Sequence, residues 1–292
     1  MLESARAIEA RIGDGLKPEF LIQTGSGQSK MLDNIVEVEF SCDRREFNFP
    51  VVGAEGHTNE IVYGFIEGVP VIWLKGRVHY YEKALEVAPM RQVVFPVYVA
   101  ACMGVKNYFA MSAVGGLNPE YEVGDLMVVY DHVKHASMPD PTLGRLLRFE
   151  KTDGGVLVPD RHPGLHEAYD KSLRNALLIY CGSIRRHDIK VGKLISVAGP
   201  SYESNGEAVH YRDNLGGDAV GMSLADSVIG ARSVDMCCTA MSIVSNLIGK
   251  DGSNPVNHKS VTEVMEDPIL VARLGDVSGA FFKKYREDEM KV

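Results

Sequence analysis

Apolar periodicity in this chain switches repeatedly between 3.6 and two, and that alternation most constrains its fold. Residues 2–12 place Leu2, Ala5, Ile8 and Ile12 at helical spacing. A short apolar strand is expected at 19–24 and a half-exposed one at 36–40. Two β-rich runs, 60–67 and 69–74, flank Gly68 as a hairpin would. A buried helix is expected over 87–103, then strands over 108–113 and 124–132, then an amphipathic helix over 165–181. Strand 193–198, helix 206–215, strand 218–222, helix 223–234, strand 236–245 and a last helix over 261–287 complete the series. Such a series predicts one α/β domain, residues 1–292, on a largely parallel or mixed sheet. Ligands of such sheets collect beyond the carboxyl ends of strands. Chemistry is therefore expected at 25–27, 75–82, 112–118, 199–204, 222–223 and 245–246.

Composition removes several classes of function. With 292 residues, 45% of them hydrophobic and 24% charged, the chain can bury a core that needs no staples. A net charge of −8 without a basic run lacks the footprint of a nucleic-acid binder. An anionic ligand would have to be held by a few local donors. The longest apolar run, 93–105, falls short of the about 20 residues a membrane span needs and contains Pro96. The first residues carry no charged-then-apolar signal pattern. The five cysteines, Cys42, Cys102, Cys181, Cys237 and Cys238, form no CxxC pair and read as buried thiols in a reducing cytoplasm. No two His or Cys fall at metal-ligand spacing, so no metal is expected.

Gly25-Ser26-Gly27 lets backbone approach an anion closely and adds a hydroxyl donor; a tight strand-to-helix turn is the plain alternative. No third glycine follows, so this is not the dinucleotide fingerprint. In Lys75-Gly76-Arg77-Val78-His79-Tyr80-Tyr81-Glu82, an extended chain would put Arg77, His79 and Tyr81 on one face. A guanidinium fork beside an imidazole clamps phosphate or carboxylate; a polar strand end with a surface ion pair is the alternative. Gly115-Gly116 suggests backbone packed close to a ligand, or a turn before Asn118-Pro119. Tyr202 can stack a planar base, and Glu203 can accept N–H donors from its edge or serve as the first-turn acid of a helix. Met222, Ser223 and Asn246 end strands, where core packing or a turn would also account for them. His258 precedes a helix, where a lone His is commonly a surface residue.

Taken together these segments resemble the purine nucleoside phosphorylase family, in its low-molecular-mass trimeric branch, which also contains the methylthioadenosine phosphorylases. The blocks occur in the family's order: Gly25-Ser26-Gly27, residues 75–82, Gly115-Gly116-Leu117-Asn118-Pro119 with Val123-Gly124-Asp125, Ala198-Gly199-Pro200-Ser201-Tyr202-Glu203, and 217–223. Gly56-His57 and Asn257-His258 also fit, and the match spans roughly 20–270. The resemblance implies a mixed, partly barrel-like sheet flanked by helices. It implies phosphate held by Ser26, Arg77, His79, the backbone at Ala113, and Ser223, with His57 nearby. Met222 and Tyr81 would lie against the ribose, His258 would reach the 5′-hydroxyl, and Glu203, Asn246 and Tyr202 would read the purine. His162 falls where the family places an aromatic that closes the neighbouring subunit's site, so a homotrimer is implied.

The implied activity is phosphorolysis of 6-oxopurine nucleosides without a cofactor, phosphate being a co-substrate. Asn246, Glu203 and His79 would be the catalytic residues. Catalysis would come from stabilising the leaving purine and from holding phosphate against C1′, with no protein nucleophile. The chain departs from the family pattern at Gln28-Ser29 in the phosphate loop, at Ser112 and at His162. It departs most at Leu224-Ala225-Asp226-Ser227, where Thr-Val-Pro-Glu is usual. Methylthioadenosine phosphorolysis is the nearest rival, but it calls for Asp at 246 and an apolar residue at 258. The 224–227 departure leaves a non-catalytic nucleoside-binding homologue as the other.

Overall fold

The computed structural model describes residues 1–54, 56–144, 147–183 and 189–290. Its strands are β1 (Phe20–Gln23), β2 (Glu37–Asp43), β3 (Glu60–Ile66), β4 (Val69–Leu74), β5 (Asn107–Gly116), β6 (Leu126–Lys134), β7 (Phe149–Glu150), β8 (Val156–Leu157), β9 (Ile189–Ser196), β10 (Ala219–Gly221) and β11 (Cys237–Leu247). Nine make one mixed sheet in the order β10-β9-β6-β11-β5-β1-β4-β3-β2, and β10 also pairs with β5. That extra pairing closes five strands into a barrel, with β1, β4, β3 and β2 continuing outward as an open wing. The short β7–β8 hairpin stands apart from it.

The barrel lengthens several strands beyond their local signals. β5 runs through Gly115 and Gly116, which pair antiparallel with Val220 and Ala219. These glycines are therefore strand residues at the barrel closure rather than a turn. β6 likewise continues past His132 because His132 to Lys134 pair with Leu194 to Ser196 of β9.

The helices are α1 (Leu2–Ile12), α2 (Tyr80–Lys83), α3 (Pro89–Val93), α4 (Phe95–Cys102), α5 (Lys171–Ser183), α6 (Asn205–Asp213), α7 (Ala225–Arg232), α8 (His258–Met265) and α9 (Pro268–Glu289). Two expected helices are each split in two. The helix expected over 87–103 breaks after Val93, and Pro96 stands in the first turn of the second piece. The last helix breaks at Asp267, whose side chain caps α9 through the N–H groups of Ile269 and Leu270, with Pro268 at the first helical position. Proline lacks the N–H an uninterrupted helix would use, and its ring blocks the preceding turn.

The wing is anchored by β1, all four of whose residues are buried. Phe20 meets Phe281, Phe282 and Tyr285 of α9 edge-on, with ring centroids 5.8, 5.0 and 4.8 Å apart. Burying each such phenylalanine contributes about 1.5–3 kcal/mol, so α9 is bound to the sheet mainly by its apolar face. Gln23 then ends β1 and delivers Gly25-Ser26-Gly27 to the carboxyl edge, where a series of turns rather than a helix follows.

Cys102 and Cys238 are buried, and Cys42 and Cys237 half-buried. The side chain of Cys181 lies outside the described residues. Among those residues no helix is long and apolar enough to cross a membrane, and no group of three or more His, Cys, Asp or Glu could hold a metal ion.

Candidate active site

The strand ends singled out in the sequence converge on one open cavity of about 700 Å³. Ser26, His79, Tyr81, Ala113, Tyr202, Glu203, Met222, Ser223, Asn246 and His258 all line it. Hydrogen bonds sort the polar residues into two networks.

The first network centres on Ser26. The backbone N–H of Arg77 donates to His57 Nδ1 at 3.1 Å, so a neutral ring carries its proton on Nε2. Nε2 lies 2.8 Å from Ser26 Oγ and donates to it, leaving the serine's own proton free to turn into the cavity. Burial, and then the neighbouring His79 and Arg77, hold the His57 imidazole well below its usual range, so the ring stays neutral at physiological pH.

His79 is held from the other side. Its backbone N–H and its Nδ1 both meet Glu82 Oε1, at 2.8 and 3.1 Å. Burial raises the Glu82 carboxyl, but hydrogen bonds from the His79 side chain and from the backbone N–H groups of His79 and Gly53 bring it below its ordinary value. An ionised carboxylate on Nδ1 leaves Nε2 for a ligand. Tyr81 stacks on His79 with centroids 5.0 Å apart and 15° between planes. Burial, then Glu82 and Tyr202, push its hydroxyl up to about 12, so it remains a neutral phenol.

Arg77 differs from its expected placement. The chain leaves the extended form at Tyr80, where α2 begins, and the guanidinium does not line the cavity. It is 1% exposed. One nitrogen, Nη2, donates to the carbonyl oxygens of Gln23, at 2.9 Å, and Met111. Among the described residues Nε and Nη1 have no hydrogen-bond partner, and neither does Oδ2 of the fully buried Asp226. Asp226 Oδ1 accepts from the backbone N–H of Ser227 at 2.6 Å. Burial holds the Asp226 carboxyl above its ordinary range, although the charge of Arg77 opposes the shift. Leu224, one residue beyond Ser223, has φ 86°, a strained conformation for a branched side chain. The stretch that departs from the family pattern thus lies beside Arg77.

The second network joins Glu203 and Asn246 through Asn254, a residue the sequence reading missed. Asn246 Nδ2 donates to Asn254 Oδ1 at 2.9 Å, and Asn254 Nδ2 donates to Glu203 Oε1 at 2.5 Å. Gly199 brings Glu203 to the cavity. Its φ is 67°, and a Cβ there would lie 2.6 Å from Met222 Sδ and 3.0 Å from Tyr81 Cδ1. Only glycine satisfies both demands. His162 is not brought in. It is exposed on the 158–164 segment, its backbone N–H bonded to Asp160.

Residues 20–270 match the model of the phosphorylase superfamily. Purine nucleoside phosphorylase 1 of Geobacillus stearothermophilus is 34% identical over 252 residues, 85% of either chain. The chain belongs to the purine nucleoside phosphorylase family. It is an enzyme of that type, a pentosyl transferase. The purine nucleoside phosphorylase of Bos taurus is 31% identical over 252 residues, 85% of this chain and 83% of that one. Structures of the Schistosoma mansoni purine nucleoside phosphorylase superpose over 96% of this chain at 26% identity. The TM-score is 0.80 for its complex with adenosine, over 95% of that chain, and 0.76 for its complex with inosine, over 93%.

Proposed function

We propose that this purine nucleoside phosphorylase cleaves 6-oxopurine nucleosides, inosine and guanosine and their 2′-deoxy forms, to free base and (deoxy)ribose 1-phosphate. The observation that carries the reading is the pairing of Glu203 with Asn246 on the cavity that also holds Ser26 and His79. A carboxylate can only accept, so Glu203 suits the N1–H of a 6-oxopurine. Adenine has a lone pair at N1, and two acceptors would face each other without a proton.

The C1′–N9 bond breaks with its electron pair going to the purine, and a phosphate oxygen forms the new bond to C1′. The proton the phosphate gives up ends on the base. An N–H of Asn246 meets N7 as negative charge grows there. Ser26, His79, Ser223 and the backbone at Ala113 hold the phosphate, with His57 behind Ser26. The unpartnered Nε and Nη1 of Arg77 give the guanidinium donors to turn toward that anion. Tyr81 and Met222 flank the ribose, His258 takes the 5′-hydroxyl, and Tyr202 covers the base. No cofactor enters this chemistry.

A nucleoside panel tests the base assignment. Leaving a buried polar group unpaired costs about 1–3 kcal/mol. Inosine and guanosine should therefore exceed adenosine in kcat/KM by roughly tenfold to hundredfold, and only with phosphate present. Adenosine as the better substrate would sink the base assignment, and turnover without phosphate would sink phosphorolysis. Methylthioadenosine should be poor because His258 lines the cavity.

The same reading makes the working enzyme a cytoplasmic homotrimer in which His162 closes the neighbour's site. Its exposure here leaves it available to a second subunit. Sedimentation at assay concentration should give a trimer; a fully active monomer would refute it.

A further inference from the structure

Asn254 is hydrogen-bonded to Glu203 and to Asn246, the two residues assigned to the polar edge of the base. The hydrogen bonds have only one consistent direction. An ionised Glu203 can only accept, so the Asn254 atom 2.5 Å from Oε1 must be its NH2 group. The other end of that amide, facing Asn246, is then the carbonyl oxygen. The Asn246 atom 2.9 Å from it must in turn be NH2. Asn246 Oδ1 is left on the far side, where Ser245 Oγ lies 2.9 Å away. The charge at 203 therefore dictates, through Asn254, which way the amide at 246 faces.

The loop carrying Asn254 is built to hold it. Arg212, in the last turn of α6, donates to the carbonyls of Gly249 and Lys250 at 3.2 and 2.7 Å. The N–H of Gly249 bonds Ser253 O, and that of Gly252 bonds Gly249 O, at 2.8 and 2.9 Å. Gly252 has φ 82°, and a Cβ on it would lie 2.1 Å from Asn205 O. Pro255 keeps residue 254 extended. Helix α6 thus fixes Glu203, which directly precedes its capping residue Ser204, and through Arg212 the loop that carries Asn254.

We propose that Asn254 is a specificity-determining positioning residue. By occupying Glu203 Oε1 and pinning the Asn246 amide, it presents one carboxylate oxygen and one N–H to the base. That pair fits a purine with a proton on N1 and charge developing on N7. The inference rests on the reading of Glu203 and Asn246 as the base-binding pair.

Two variants and two kinds of measurement test it. Asn254→Leu keeps the bulk and removes both hydrogen bonds. It should reduce the inosine-to-adenosine ratio of kcat/KM by about tenfold, the worth of one hydrogen bond. Half-saturating phosphate and melting temperature should hold. Asn254→Asp keeps the shape but sets two carboxylates within hydrogen-bond distance, so they share one proton. While protonated, the new side chain has the donor and acceptor of the amide it replaces. Hypoxanthine binding, followed by calorimetric titration, should match wild type at low pH and weaken as pH rises, while wild-type binding stays level over the same range. A wild type that prefers hypoxanthine to adenine, with both variants keeping that preference at every pH, overturns the role of Asn254 alone. A wild type with no such preference overturns the base reading and this inference with it.

Discussion

Asn246→Ala lowers kcat for inosine by roughly 10²–10³-fold, the usual loss when one donor to developing charge is removed. Inosine KM moves much less, because N7 carries little charge until the C1′–N9 bond stretches. The side chain is half-buried at the end of β11, so melting temperature should stay close to wild type. Asn246→Asp has a different signature. It sets an acceptor where the purine becomes anionic, which slows inosine further, but it offers the 6-amino group of adenosine a partner. The inosine-to-adenosine ratio should therefore fall below that of Asn246→Ala. Steady-state and single-turnover assays on both variants check this. Inosine KM raised with kcat intact would mean that Asn246 only binds the ground state.

The alternation of strand and helix was enough to read an α/β sheet, because each period is a local property of the sequence. The barrel closure was not local. Val220 and Gly115 lie far apart in the chain, and neither signals the other, so Gly115-Gly116 resembles a turn until the pairing with β10 is seen. The helix breaks fall beside Pro96 and Pro268, while the apolar periodicity runs on across both.

Ser26, His79, Glu203 and Asn246 were legible because each lies at or beyond the carboxyl end of a strand, and those ends meet at one edge. The Glu82 contact to His79 spans three residues, within the reach of sequence reasoning. Asn254 was not legible. Its partner Glu203 is 51 residues away, and Gly252-Ser253-Asn254-Pro255 looks like any polar turn. Asp226 was noticed only as a departure from a family pattern. Nothing in the sequence shows that it is fully buried and close enough to Arg77 to feel its charge. Period-two spacing puts Arg77 on one face with His79, but its guanidinium turns to the buried carbonyls of Gln23 and Met111, distant in the chain, which no local spacing signals.

Arg77→Ala should weaken phosphate and destabilise the fold together, because Nη2 holds two backbone carbonyls while Nε and Nη1 are the donors proposed to turn to the anion. Truncating a charge-assisted partner of phosphate costs about 1.5–3 kcal/mol, roughly tenfold to hundredfold in half-saturating phosphate. The same change strips a donor from the Gln23 and Met111 carbonyls, a further about 1–3 kcal/mol of stability. Arsenate, of the same shape and charge, should fail in parallel. Phosphate half-saturation unchanged in a destabilised but active variant would leave Arg77 a structural strut only. Asp226→Asn separates the two effects. At a pH where Asp226 has ionised, it removes a negative charge that opposes an anion near Arg77, so half-saturating phosphate should fall there. Its stability follows from the raised carboxyl of Asp226. A proton held more tightly in the fold than in the open chain stabilises fully below the unfolded value. That stability is lost as pH climbs through the raised folded value. Wild type should therefore lose melting temperature relative to Asp226→Asn as pH rises from about 4 toward neutrality and beyond. A constant difference across that range would mean that Asp226 titrates as an ordinary carboxylate, already matched by Arg77. In that case the substitution should weaken phosphate binding by disordering the guanidinium instead of strengthening it.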